Sequence, residues 1–148
     1  MSALDDAWQA ALAAEHQAVF GYGLLGPRLT GPTERGLARD CQAAHEALRD
    51  ATASALRAAG QTPVDPAADY AGLYPVPAAP AARRLAIRLE ADAATAWRFL
   101  YARAAELGDA GSRTRASAQQ ALMQSAVRAT RWRRTAGDAT PTVAFPGI

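Results

Sequence analysis

One stretch constrains the fold more than any other. Residues 10–23, AALAAEHQAVFGYG, read as an amphipathic helix with an acid in the middle of its apolar face. At about 100° per residue, Trp8, Leu12, Val19 and Tyr22 share one stripe, and Glu15 falls at its centre. An unpaired buried charge is strongly unfavourable, so a carboxylate there must be paired, protonated or bound to a metal. Whatever the chain folds into, it must fold around that acid.

The remaining sequence supplies partners for this helix. Helical patterns cover about residues 3–25, 32–59, 80–107 and 110–135. Ser2 is placed to cap the first helix, with Asp5 and Asp6 in its first turn, and Gly26-Pro27 stops it. Pro32 suits the start of the second helix and Gly60 the position past its end. Leu37, Cys41, Ala44, Leu48, Ala55 and Ala59 form its stripe, with His45 just inside the edge and Glu46 pointing away. Residues 61–79 break all periodicity and hold four of the nine prolines. So long a loop makes sense as a crossover along the bundle, which sets helices 2 and 3 parallel and packs Tyr70 and Tyr74 on its side. The third helix turns Leu85, Ala86, Leu89, Ala93, Ala96, Trp97 and Leu100 inward, with Glu90 at that face's edge. A short turn, GDAGS, folds the fourth helix back, with Asp109 or Ser112 as its cap. Its inner face reads as Gln119, Leu122, Met123, Ala126 and Thr130. The tail, 136–148, is too rich in Pro and Gly for a helix, and Val143 and Phe145 are expected to dock it on the bundle.

The bulk properties exclude several classes. A chain of 148 residues makes one domain with a proper core. Alanine makes up roughly a quarter of it and favours close helix approach. All sixteen basic residues are arginine, yet the net charge is only +2, so the chain is not read as a nucleic-acid binder. Arg128, Arg131, Arg133 and Arg134 do not share one face. They read as cations complementing a helix C-terminus, with Arg133 on the inner side. The tryptophans Trp8, Trp97 and Trp132 read as packing residues. Cys41 reads as a buried, inert thiol, and the absence of a second cysteine fits a reducing compartment. The acidic N-terminus lacks a signal pattern, and no apolar run approaches the ~18 residues of a membrane span. The expectation is a cytoplasmic protein without membrane contact.

Four helices, one long connection and inward-facing ionisable groups resemble the ferritin-like fold. The motifs EHQAV, AAHEALRD, RLEADAATAW, RATRWRR and AFPG are similar to one branch of it. That branch is the alanine-rich, ferritin-like domain-of-unknown-function family of high-GC bacteria. The resemblance implies an all-α, ferritin-like four-helix bundle with a long crossover between helices 2 and 3. Di-metal relatives place a Glu on two helices and a Glu-x-x-His pair on the other two. Glu15 and Glu90 match the single acids. Glu46 would need a His at position 49, where Arg49 stands, and His45 has Gln42 three residues earlier. Helix 4 offers only the neutral amide of Gln119. The di-metal set is therefore incomplete.

Three arrangements follow for Glu15, His45 and Glu90. In the favoured one they form a buried polar layer with Gln119 and an arginine, Arg49 or Arg133. In the alternative they hold a metal, iron or manganese foremost, with His16 as a further ligand and a metal-dependent oxidase as the activity. In a third they line a small-molecule pocket lidded by Tyr70 and Tyr74. Otherwise His16 is a boundary histidine bonded to a neighbouring helix. The sequence thus points to a non-redox binding or assembly module without a cofactor. A homodimer is expected from its alanine-rich faces and apolar tail, and a small-molecule ligand is compatible with it.

Overall fold

The computed structural model describes residues 2–148. Four long helices account for most of them: α1 (Ala3–Leu25), α2 (Pro32–Ala58), α3 (Ala79–Ala105) and α4 (Ser112–Ala136). Short 3-10 turns occupy Gly26–Arg28, Ala71–Leu73 and Gly108–Gly111. No strand is present among the described residues.

Local chemistry sets the helix ends. Ser2 caps α1 in a reciprocal box: its hydroxyl accepts from the Asp5 amide, and the Asp5 carboxylate accepts from the Ser2 amide. Pro32 lies in the first turn of α2, where a missing N–H is harmless. α4 differs from expectation. Neither Asp109 nor Ser112 caps it; Gly111 is its N-cap residue and offers no side chain. Gly137, at φ +84°, ends α4 in the left-handed conformation, and the Asp138 amide returns to the Arg133 carbonyl.

The helix directions follow from who meets whom. Against α1, Gly21 faces Leu89, Tyr22 bonds Glu90 and Glu15 bonds Trp97, so α3 runs opposite to α1. Arg83 bonds Glu34 near the starts of α3 and α2, and His45 bonds Glu90 at their middles, so these two run the same way. Gly111 approaches Ala104 and Arg128 bonds Glu90, so α4 runs opposite to α3. Segment 59–78 meets α1 in order: Thr62 and Val64 at Gln9, Val64 at His16, then Tyr70 and Tyr74 at Phe20. α1 packs on α2 and α3, and α3 packs on α4, whereas α2 and α4 barely meet.

The apolar core is in two parts. One end gathers Tyr22, Leu25, Cys41, Leu73, Leu85, Leu89 and Trp132. The other is built mainly of alanine, with Ala7, Ala11, Ala93, Ala118 and Ala121 around Trp97 and Leu100. The small side chains let the backbones come close there, and one indole fills the space that remains. The level between the two clusters is polar.

The buried face of α4 is rotated from the expected one. Ala118, Ala121, Ser125, Arg128, Ala129 and Trp132 are buried, whereas Met123 and Val127 are 59% and 53% exposed. Leu122 is partly buried against the alanine-rich cluster as expected, but Met123 and Val127 point outward while Ala118, Ala121 and Ser125 point inward, which blurs the usual apolar signal. In the tail, Gly147 lies against the Ala94 carbonyl and Arg98 of α3. Val143 and Phe145 do not anchor it: both side chains remain exposed.

Candidate buried charged centre

Each helix sends one charged side chain to the polar level. Glu15 comes from α1, His45 from α2, Glu90 from α3 and Arg128 from α4; the first three are fully buried and Arg128 nearly so. His45 lies between the carboxylates. Its Nδ1–H donates to Glu15 Oε2 at 2.6 Å and its Nε2–H to Glu90 Oε1 at 3.0 Å. A neutral imidazole has one N–H, so a ring bonded to a carboxylate on both sides is the imidazolium.

Neutral donors complete the shell. Trp97 Nε1–H donates to Glu15 Oε1 at 2.7 Å. The Tyr22 hydroxyl donates to Glu90 Oε1 at 2.7 Å, and accepts in turn from Trp132 Nε1–H at 2.8 Å. Arg128 Nε–H lies 3.1 and 3.0 Å from the two oxygens of Glu90, and its Nη2 reaches the Ser125 hydroxyl. The Tyr22 ring stacks on His45, with centroids 5.6 Å apart. Two carboxylates thus face two cations, and every carboxylate oxygen accepts at least one bond. This full pairing makes burial of four charges tolerable.

The same surroundings fix protonation states. Burial pulls the His45 pKa down, but the hydrogen bonds to Glu15 and Glu90, with their charges, outweigh it and raise it to about 9. Burial, reinforced by the Glu90 charge, pushes the Tyr22 phenol well above its ordinary range, so it stays a neutral donor. Burial and then Glu90 raise the Cys41 thiol to about 11, which leaves it protonated and unreactive at neutral pH.

Of the residues singled out in the sequence, Glu15, His45 and Glu90 meet and the others do not. Arg49 is partly exposed and pairs with its neighbour Asp50. Gln119 is exposed on the outer face of α4, a consequence of that helix's rotation. Arg133 reaches the tail carbonyl of Pro141 instead. His16 bonds the Val64 carbonyl in segment 59–78, so it neither joins the centre nor bonds a helix. Tyr70 and Tyr74 pack on Phe20 and do not lid the centre. Conversely, Arg128, Tyr22, Trp97, Trp132 and Ser125 belong to the centre, and sequence reasoning gave them no such part. One signal was available: Trp97 lies seven residues after Glu90, two turns along the same face.

Iron or manganese does not fit this donor set. Both ring nitrogens of His45 are engaged with carboxylates, so a metal would take the ring only by displacing one of those bonds and its proton. Arg128 places a fixed positive charge on Glu90, at the level where a di-metal bundle would need another ligand. Among the described residues, no group of three or more His, Cys, Asp and Glu side chains is arranged to hold a metal ion.

The fold and its centre define an all-α, four-helix protein closed around a charge-balanced hydrogen-bond network. The chain belongs to the DUF4439 family, a domain of unknown function, which it matches over residues 7–148. It is similar to a conserved hypothetical protein from Mycobacterium tuberculosis, known from a crystal structure. The TM-score is 0.81 and the identity 38%, over 90% of this chain and 97% of that one. No curated protein matches the chain. No helix among the described residues is long and apolar enough to cross a membrane.

Proposed function

We propose that the chain is a ferritin-like bundle in which protein cations stand where relatives of that fold hold metal, and that it works as a non-redox binding or assembly module. One observation carries the reading: His45 is bonded through both ring nitrogens to Glu15 and Glu90. With Arg128 it neutralises the two acids, so the centre is complete without an ion. The ferritin-like assignment draws support from the parallel course of α2 and α3 and the ordered contacts of segment 59–78 along α1. Such a route is what the long crossover of that fold calls for. Two copies are the expected working unit, because Phe145 and Ile148 present apolar side chains on the tail, 73% and 83% exposed. A reducing cytoplasm is the expected compartment, consistent with the buried thiol of Cys41.

Elemental analysis of protein purified without chelator tests the reading, together with melting curves in added iron, manganese and zinc. Metal well below one ion per chain, and a melting point that ignores all three, is the expected result. About one or two ions per chain, lost in Glu15→Gln and Glu90→Gln, would overturn it.

A further inference from the structure

We infer that the cleft between α2 and α4 is a binding pocket for a small, uncharged aromatic molecule. α1–α2, α1–α3 and α3–α4 are closed contacts, but the fourth side of the bundle is open. His45 turns from α2 toward Glu15 and Glu90, and Arg128 turns from α4 toward Glu90, so neither helix directs its central polar side chain at the other. The facing positions Ala51, Ala55 and Ala121 are too small to bridge the gap.

A cavity of about 310 Å³ results, at the lower end of the roughly 300–1,000 Å³ of small-molecule sites. Its aromatic wall is the partly exposed Trp8, set edge to face on the buried Trp97 behind it, with centroids 6.2 Å apart. Trp97 cannot swing away, because its indole N–H is bonded to the buried Glu15. The charged centre thereby holds rigid the indole that backs Trp8, which reduces the ordering a ligand would impose. Ser117, Gln120 and Gln124 add hydroxyl and amide groups, and no lining side chain carries a charge. That combination suits a flat apolar body with a neutral hydrogen-bonding group, and disfavours an ion that must shed its water. The cleft continues past Gln124 into a second cavity of about 450 Å³, but Asp40, Arg128 and Arg131 line that end. The uncharged, tryptophan-walled end is therefore the site.

This inference rests on the binding-module reading above. The probe is N-phenyl-1-naphthylamine, a neutral aromatic amine that fluoresces strongly only in apolar surroundings. Saturable uptake of one probe per chain is expected, with energy transfer from tryptophan. The sulfonated analogue 8-anilinonaphthalene-1-sulfonate should bind about tenfold more weakly or worse. Ala51→Phe fills the cavity from an exposed helix position and should abolish uptake with an unchanged melting curve. Ala43→Phe, on the same helix but outside both cavities, should not. Absent saturation, uptake indifferent to Ala51→Phe, or equal binding of the sulfonate would overturn the inference. Self-association that Ala51→Phe abolishes, without probe uptake, would give the cleft to a second copy and overturn it too. Each of these outcomes with a metal-free centre leaves the wider reading standing. A metal-loaded centre sinks that reading whatever the probe does.

Discussion

His45 is the residue on which the other three charges depend. Without it, Glu15 keeps only the indole of Trp97, and Glu90 keeps Arg128 and Tyr22. Breaking a buried ion pair by removing one partner typically costs roughly 3–5 kcal/mol, because the remaining charge stays desolvated. His45→Gln should therefore lose about that much in urea unfolding. Glu15→Gln keeps an acceptor for Trp97 while removing one charge, and should lose about 1–3 kcal/mol. Arg49→Ala, at a partly exposed ion pair, should stay within about 0.5 kcal/mol. An Arg49 variant as damaging as His45→Gln would contradict this map. The contrast also marks how far the residue pattern could be read. Glu15 was legible because an acid amid Leu12, Val19 and Tyr22 breaks an otherwise apolar stripe. Arg128 was not, because it sits in an arginine-rich helix end where cations are ordinarily explained by the dipole. The polar tips of Trp97 and Trp132 were invisible because their bulk satisfies the packing argument alone.

At the scale of elements, the helix–helix contacts rest on small residues, and two glycines show how differently they bear enlargement. A Cβ on Gly111 would land on the Ala104 carbonyl oxygen, a backbone atom with no freedom to retreat. A Cβ on Gly21 would meet the Leu89 Cδ1 at 2.5 Å, a side-chain atom that can yield where a backbone atom cannot, though Leu89 is itself buried in the core. Gly111→Ala should therefore lose roughly 3 kcal/mol or more, by prying α4 from α3. Gly21→Ala should lose about 1 kcal/mol, because alanine's better helix propensity offsets part of the clash. Thermal unfolding of the pair decides it; equal losses would mean that the α3–α4 junction is looser than the contact implies. GDAGS is readable as a turn from its sequence, but the need for glycine at 111 arises from a residue seven positions earlier. The rotation of α4 was hidden for a related reason. Helix existence depends on local propensity, which alanine declares plainly, whereas helix phase depends on which side is apolar. Met123 and Val127 are strongly apolar residues in the middle of α4, and they face outward, toward the cleft with α2.

For the molecule as a whole, the buried centre ties stability to pH in one direction. The His45 pKa is raised from 6.5 to about 9 on folding. Below pH 6.5 the ring is protonated in both folded and unfolded chains, and its full contribution is present. As pH rises through the window, the unfolded chain releases the proton while the folded chain keeps it, so unfolding gains ground. A rise of one pKa unit is worth about 1.4 kcal/mol, and the whole interval amounts to roughly 3 kcal/mol lost by pH 9. Above that, the buried Cys41 thiol, raised from 9.0 to about 11, adds loss of the same sign. Urea midpoints measured from pH 6 to pH 9 should fall steadily, and His45→Gln should flatten the fall. A metal-loaded centre predicts the reverse, since ligand deprotonation would strengthen the site as pH rises. A wild-type profile that is level or rising over that interval would therefore remove the imidazolium from the centre, and with it the case that protein cations replace metal.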